Sequence, residues 1–327
     1  MVLLVTIVVI ALVFDYTNGF HDTANAIATS VSTRALSPRA AITMAAVLNM
    51  LGAFIGKKVA ETVGAGIVAA GDVTLVMVLA ALVGAVGWNL LTWYFGIPSS
   101  SSHALIGGLV GAAVAEGGLH TVLWRGVVDK VVIPMVGSPV IGFLVAYALM
   151  TGLLWLVRRW APDPVNRTFR LLQPVSAAYM ALSHGRNDAQ KTMGVITLAL
   201  FASGRLETFT IPAWVVVACA LAMALGTYSG GWRIIHTLGT KVIKLDPIHG
   251  FAAETTAATV IQVASFLGMP ISTTHTITTA IMGVGATRRL SAVRWGVAGN
   301  IVVAWVLTLP AAAGTAALAY LLLSRLF

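Results

Sequence analysis

Asn18-Gly19-Phe20-His21-Asp22-Thr23-Ala24-Asn25 is a polar island in otherwise apolar sequence. It returns downstream as His184-Gly185-Arg186-Asn187-Asp188-Ala189-Gln190-Lys191, with the carboxylates 188 − 22 = 166 residues apart. A second matched pair follows: Pro98-Ser99-Ser100-Ser101-Ser102-His103 and Pro270-Ile271-Ser272-Thr273-Thr274-His275, offset by 270 − 98 = 172. Between them Thr62-Val63-Gly64 aligns with Thr237-Leu238-Gly239, at 239 − 64 = 175. One unit written twice, each copy placing polar residues inside apolar sequence, is the pattern of secondary carriers whose site lies between two repeats.

The composition puts those islands in a bilayer. Hydrophobic residues make up 58% and charged residues 9% of the chain, whereas soluble domains carry about 25% charged. Apolar stretches at 39–56, 73–95, 131–157, 211–229, 250–268 and 295–323 approach or exceed the roughly 20 residues that span the hydrocarbon. Others, at 2–14, 104–115, 171–182, 193–201 and 277–286, are short. Short apolar pieces joined by polar islands predict broken or re-entrant helices, whose irregular backbone faces protein or a water-filled cavity. Gly19 is expected to let the chain leave helical geometry, with Asp22-Thr23-Ala24-Asn25 opening a new helix. The expected fold is an all-α polytopic membrane protein with an inverted internal repeat. It comprises a first membrane repeat at 1–157, a cytoplasmic connecting loop at 158–170 and a second repeat at 171–327.

The net charge of +9 is no nucleic-acid footprint, because Lys and Arg fall mostly in connections, as topogenic charges do. Arg158, Arg159, Arg167 and Arg170, countered by Asp163, place the central connection in the cytoplasm. Arg34 and Arg39 fit the same side if the first helix runs inward from an external N-terminus. An odd number of crossings per half then inverts the second repeat. The N-terminal apolar stretch lacks a basic leader region, so a cleaved signal peptide is not expected. Cys219, the single cysteine, lies in an apolar stretch and implies no disulfide.

Asp22 and Asn25 are three residues apart and share a helix face. A carboxylate and an amide oxygen suit a hard cation or a proton site. Alone, Asp22 would read as a helix cap; its recurrence as Asp188 favours function, since charges at membrane depth are costly and rarely idle. The second island differs where it matters: Lys191 stands where the first has Asn25, and Ala189 where it has Thr23. Its ammonium compensates either Asp188 or an anionic substrate. Ser100, Ser101, Ser102 and Ser272, Thr273, Thr274 follow prolines and precede apolar stretches, so they open helices whose free N–H groups favour anions. Hydroxyls hold an anion without fixing it too tightly for release, although such runs also bond their own backbone. Glu254 is a lone acid inside an apolar span and a coupling candidate. Asp15, one turn before the first island, is expected to line the same cavity. His103 and His275 read as structural histidines, and Glu61 as an ion-pair partner of Lys57 or Lys58. Ser102 and His103 do not make a hydrolase, because neighbouring residues do not face each other on a helix.

Both islands resemble the paired signatures of the PiT-type inorganic phosphate transporters, the low-affinity bacterial branch in particular. The hydroxyl–His elements, Gly230-Gly231-Trp232-Arg233 and His249-Gly250-Phe251-Ala252-Ala253-Glu254 are similar to that family too, over essentially the whole chain. The resemblance implies a symporter of inorganic phosphate in the plasma (inner) membrane, not an enzyme, with no cofactor or resident metal. It implies substrate binding by Ser100, Ser101, Ser102, Ser272, Thr273, Thr274, Asn187 and Lys191. Cation or proton coupling falls to Asp22, Asn25, Asp188 and Glu254. Sodium-coupled members tend to carry the Asn form in both halves, so Lys191 points to H+ as the coupling ion, with Na+ as the alternative. Partners are phosphate or a metal–phosphate complex and the lipid bilayer; a homo-oligomer is compatible. Sulfate or another oxyanion as cargo, or an anion channel, are the rival readings.

Overall fold

The computed structural model describes residues 1–326. Helix α1 (Val2–Ser32) is followed by α2 (Pro38–Ala53) and α3 (Lys58–Ala65), a pair bent by 72°. Helices α4 (Leu75–Phe95) and α5 (Ser101–Gly117) come next, then α6 (Trp124–Val127), which continues through a π-turn into α7 (Ile133–Leu156). The second half repeats the order: α8 (Pro162–Ala202), then α9 (Ala213–Ser229) and α10 (Trp232–His236) with a π-turn at Thr237–Lys241, bent by 60°. It closes with α11 (Pro247–Phe266), α12 (Thr273–Ala286) and α13 (Trp295–Leu323). By length and apolarity, α1, α4, the α6–α7 run and α13 are each able to cross a membrane, and the two bent pairs bring the number to six.

Hydrogen bonds show the inversion directly. Thr192 of α8 donates to Asp15 of α1 at 2.9 Å, whereas Thr33 of α1 donates to Gln173 of α8 at 2.7 Å. Numbers rise along one helix as they fall along the other, so α1 and α8 run antiparallel and cross near Asp22 and Asp188. The apolar core divides accordingly. One cluster joins the first half of α1 to the last part of α8, α4 and most of α5. The other joins the later part of α1 to the start of α8, α11 and most of α12. The α4–α5 and α11–α12 hairpins therefore enter from opposite faces, and their tips meet at the centre, where the His103 and His275 rings lie 4.8 Å apart.

The polar islands are not helix breaks, contrary to the sequence expectation. Both α1 and α8 run unbroken through them, because a continuous helix satisfies every backbone group in a medium without water. Gly19 serves close approach instead: a Cβ there would sit 2.6 Å from the Met223 carbonyl, and one at Gly185 would sit 2.1 Å from that of Asn49. The breaks fall between α2 and α3 and at Gly230–Gly231, and the re-entrant turns at 96–100 and 267–272. The connection between halves is also shorter than 158–170. Pro162 occupies the first turn of α8 with Asp163 beside it, a favourable helix start, so 162–170 is helical.

Packing crosses between the halves. α5 lies on α13, α12 on α7, α1 on α9 and α2 on α8. Lipid offers no hydrophobic drive for this, so close backbone contact at small residues takes its place; a Cβ at Gly111 would meet the Ala313 carbonyl at 2.1 Å. The outer faces are apolar, with Val136, Leu144, Trp155, Val303 and Leu318 exposed. Basic residues sort by face. Arg34, Arg39, Arg158, Arg159, Arg167, Arg170, Lys241, Lys244, Arg288, Arg289 and Arg294 flank the connections at the α7–α8 end. The other end carries Lys57, Lys58, Arg125, Lys130, Arg205 and Arg325.

Candidate functional site

Where α1 crosses α8, the three-residue spacing aims Asp22 with Asn25 and Asp188 with Lys191 at a common centre. Asn25 Nδ2 donates to Thr274 Oγ1 at 2.9 Å and to Thr273 Oγ1 at 3.2 Å. Thr274 donates to Asp22 at 3.4 Å and Thr273 to Asp188 at 3.3 Å. Lys191 Nζ sits 2.5 Å from Asp188 Oδ1, donates to the Ile271 carbonyl at 3.1 Å and bonds Ser102 Oγ. Ser102 in turn donates to the same Ile271 carbonyl at 3.2 Å. One hydroxyl run thus touches both carboxylates, and the other touches the ammonium.

Each hydroxyl run divides its labour. Ser100 and Ser272 are N-caps, accepting from the backbone N–H of His103 and His275 at 3.2 and 3.1 Å, with their O–H donors still free. Ser101 Oγ and Asn25 Oδ1 are buried without a hydrogen-bond partner among the described residues. Such orphans need a reason, and a bound substrate supplies one. All of these side chains are buried, so the site is closed to both faces.

Charge sets what this centre can hold. Asp22 and Asp188 bring two negative charges and Lys191 one positive, a surplus of one carboxylate. The N-termini of α5 and α12 point at the same centre and favour an anion.

Other expected residues lie elsewhere. Asn187 donates to Ser265 at 2.8 Å and to the Met269 carbonyl at 3.3 Å, tying α8 to the tip of the α11–α12 hairpin instead of reaching Ser272, Thr273 or Thr274. Glu254 forms a second polar centre, accepting from Ser30 at 2.6 Å, from Gln173 at 3.3 Å, and from Thr29 and Ser176. Thr29 is seven residues beyond Asp22, about 10 Å along the helix, so Glu254 lies off the crossing. Asp15 is likewise displaced, bonded to Thr192.

Sequence reading passed over His21 and His184. His21 Nδ1 is 2.6 Å from Asp22 Oδ1, and its Nε2 is 3.1 Å from Thr92 Oγ1. His184 precedes Asp188 by one turn, a spacing that the sequence displayed. Its Nδ1 lies 3.1 Å from Asn49 Oδ1, while Asn49 Nδ2 donates to Thr227. Nδ1 therefore carries a hydrogen, and Nε2 lies 3.2 Å from Asp188 Oδ2. Asp22, His184 and Asp188 each offer a ligating atom, all within 4.8 Å of one another.

Buried carboxylates, an ammonium and hydroxyls gathered at the crossing of an inverted repeat, beneath two re-entrant tips, form the arrangement of a membrane transporter. Comparison with known proteins narrows the class. The sequence profile of the phosphate transporter family matches residues 18–316, and the chain belongs to that family. It is 56% identical to a probable low-affinity inorganic phosphate transporter of Rhizobium meliloti (strain 1021), over 97% of this chain and 96% of the other. A Bacillus subtilis (strain 168) protein with the same description is 46% identical, over 100% and 99% of the two chains. Among solved structures, the chain resembles one titled "The sodium-dependent phosphate transporter". That likeness has a TM-score of 0.91 and 27% identity, and covers 100% of both chains. The chain is accordingly a multi-pass protein of the plasma membrane and a transporter rather than an enzyme.

Proposed function

We propose that this protein imports inorganic phosphate by alternating access, driven by protons, with the substrate seated between Ser101, Ser102, Thr273 and Thr274 at the α1–α8 crossing. The observation that carries the coupling is Lys191 Nζ at 2.5 Å from Asp188. The ammonium fills the seat that an amide leaves open beside Asp22, so a metal cation at Asp188 meets repulsion and lacks a ligand. A proton needs no coordination shell. Asp22, with Asn25 Oδ1 free, is left as the carboxylate to be neutralised on loading. The α7–α8 face, richer in Arg and Lys, is assigned to the cytoplasm. Phosphate uptake into proteoliposomes, with proton and sodium gradients imposed separately, tests this: uptake follows an inward proton gradient and persists without sodium. Uptake that starts only when sodium is supplied overturns it.

A second reading concerns the cargo. The Asp22–His184–Asp188 trio, whose ligating atoms lie within 4.8 Å of one another, favours a divalent cation travelling with phosphate as a neutral complex. One nitrogen with two carboxylate oxygens suits borderline metals such as Zn2+ as well as harder ones. Uptake of radiolabelled metal that requires phosphate, and is lost in His184→Ala, supports this reading; metal-independent phosphate uptake rejects it.

A further inference from the structure

The repeat produces a second pair of matched features at the protein–lipid boundary. Where the end of α4 meets α10, a groove of about 490 Å³ is lined by Tyr94, Phe95, Trp232, Arg233, His236 and Lys241. Where the end of α11 meets α3, a groove of about 370 Å³ is lined by Lys58, Glu61, Thr62, Gly66, Leu267 and Gly268. The two are repeat mates: 233 − 58, 236 − 61 and 241 − 66 all equal 175, and 268 − 96 = 172. The scaffolding is shared. Thr237 donates to the Gly96 carbonyl at 3.0 Å and Thr62 to that of Gly268 at 2.7 Å. The Arg233 guanidinium lies 5.1 Å from the Tyr94 ring, and the Lys58 ammonium 4.5 Å from the Phe266 ring.

Their chemistry diverges. The α3 groove balances Lys58 with Glu61 and has Gly66 where its mate has Lys241. The α10 groove sets Arg233, His236 and Lys241 together with no acid, and none of the three pairs with a carboxylate among the described residues. Arg233 is held against Trp93 and Tyr94 and bonds the Tyr94 carbonyl, which orients it but leaves its charge unmatched. A cation held near apolar phase without a counter-charge is costly. Tyr94, Phe95 and Trp232, at 60%, 64% and 48% exposure, face outward as interfacial aromatics do. The α10 end of the groove lies towards the more basic face, since Gly239, between His236 and Lys241, packs against Ala28 and Ser32 at the far end of α1.

We propose that the α10 groove binds the phosphate of an anionic phospholipid headgroup, with Arg233 and Lys241 as its ligands and the exposed aromatics against the glycerol and acyl chains. Free phosphate shares the anionic chemistry, but the exposed aromatic rim of Tyr94, Phe95 and Trp232 favours the lipid. A lipid seated there braces the bent α9–α10 span against the tip of the α4–α5 hairpin, the two elements the groove divides. The α3 groove, neutral in sum, takes no such headgroup.

Native mass spectrometry of the purified full-length protein with phosphatidylglycerol, against phosphatidylcholine, tests the site. The wild type is expected to retain one more phosphatidylglycerol than Arg233→Gln/Lys241→Gln, with affinity falling roughly tenfold or more. Lys241→Gln alone, at a side chain without a hydrogen bond or ion pair among the described residues, should lower affinity severalfold and decides the matter if the double variant misfolds. Lys58→Gln in the mate groove should change nothing. Equal retention in wild type and Lys241→Gln overturns the proposal, as does an equal loss in Lys58→Gln. Displacement of the lipid by millimolar inorganic phosphate would make the groove a free-anion site and also overturns it.

Discussion

Asp22 and Asp188 occupy equivalent turns of antiparallel helices, yet their surroundings differ. Asp22 pairs with a histidine and a threonine hydroxyl and has a neutral amide one turn on. Asp188 has a buried ammonium at 2.5 Å and the His184 Nε2 at 3.2 Å. The repeat fixes where each carboxylate stands; the residue three positions later fixes its charge. On the proton-coupled reading proposed above, the half-site with Lys191 is already neutralised, and coupling resides in this departure from symmetry.

The strongest test of that contrast removes each carboxylate in turn. Asp22→Asn and Asp188→Asn should both abolish concentrative uptake, but only Asp188→Asn strands a buried cation. Its loss of stability should be about 3–5 kcal/mol, against little for Asp22→Asn, read as unfolding in detergent. Equal stability of the two variants would break the contrast. Next come the hydroxyls. Ser101→Ala/Ser102→Ala and Thr273→Ala/Thr274→Ala should each weaken phosphate binding by about 10- to 150-fold, a lost bond to a charged group being worth roughly 1.5–3 kcal/mol. The threonine pair should lie at the upper end, because it touches both carboxylates. Binding unchanged in both double variants, measured by calorimetry, would leave these runs as helix caps alone.

A sharper probe restores the symmetry. Lys191→Asn should impair proton-driven uptake and expose a sodium stimulation of roughly fivefold or more, the lower range of site-to-site coupling; an unchanged cation preference would reduce Lys191 to a structural ion pair. The smallest effect is expected at Glu254→Gln. Its carboxyl lies about 10 Å from the crossing, and glutamine still accepts hydroxyl bonds, so phosphate affinity should change by about threefold or less, roughly 0.7 kcal/mol. A loss as large as that of Asp22→Asn would join the two centres into one.

The inverted repeat and the crossing residues were legible because the same polar spacing occurs twice, and the cost of buried charge makes coincidence unlikely to persist. Breaks were misplaced because glycine beside polar residues looks alike whether it bends a helix or admits a neighbouring backbone; only the contact with Met223 tells Gly19 apart. Asn187 belongs to the same island as Asp188 but points from another side of α8, which spacing of one residue already permits. His184 was overlooked although four residues from Asp188, since its role depends on Asn49, a residue of the other half with no motif of its own.

The packing of α5 on α13 and of α12 on α7 has a historical consequence. A single repeat folded alone would leave its hairpin and its last helix bare, with each shaped to fit the other's counterpart. Two copies inserted in opposite directions would cover both surfaces at once. The fused chain thus preserves the geometry of an antiparallel dimer, and duplication needed only to supply the five residues between α7 and α8. Once joined, the two copies need not match, and Asn25 in one stands where Lys191 stands in the other.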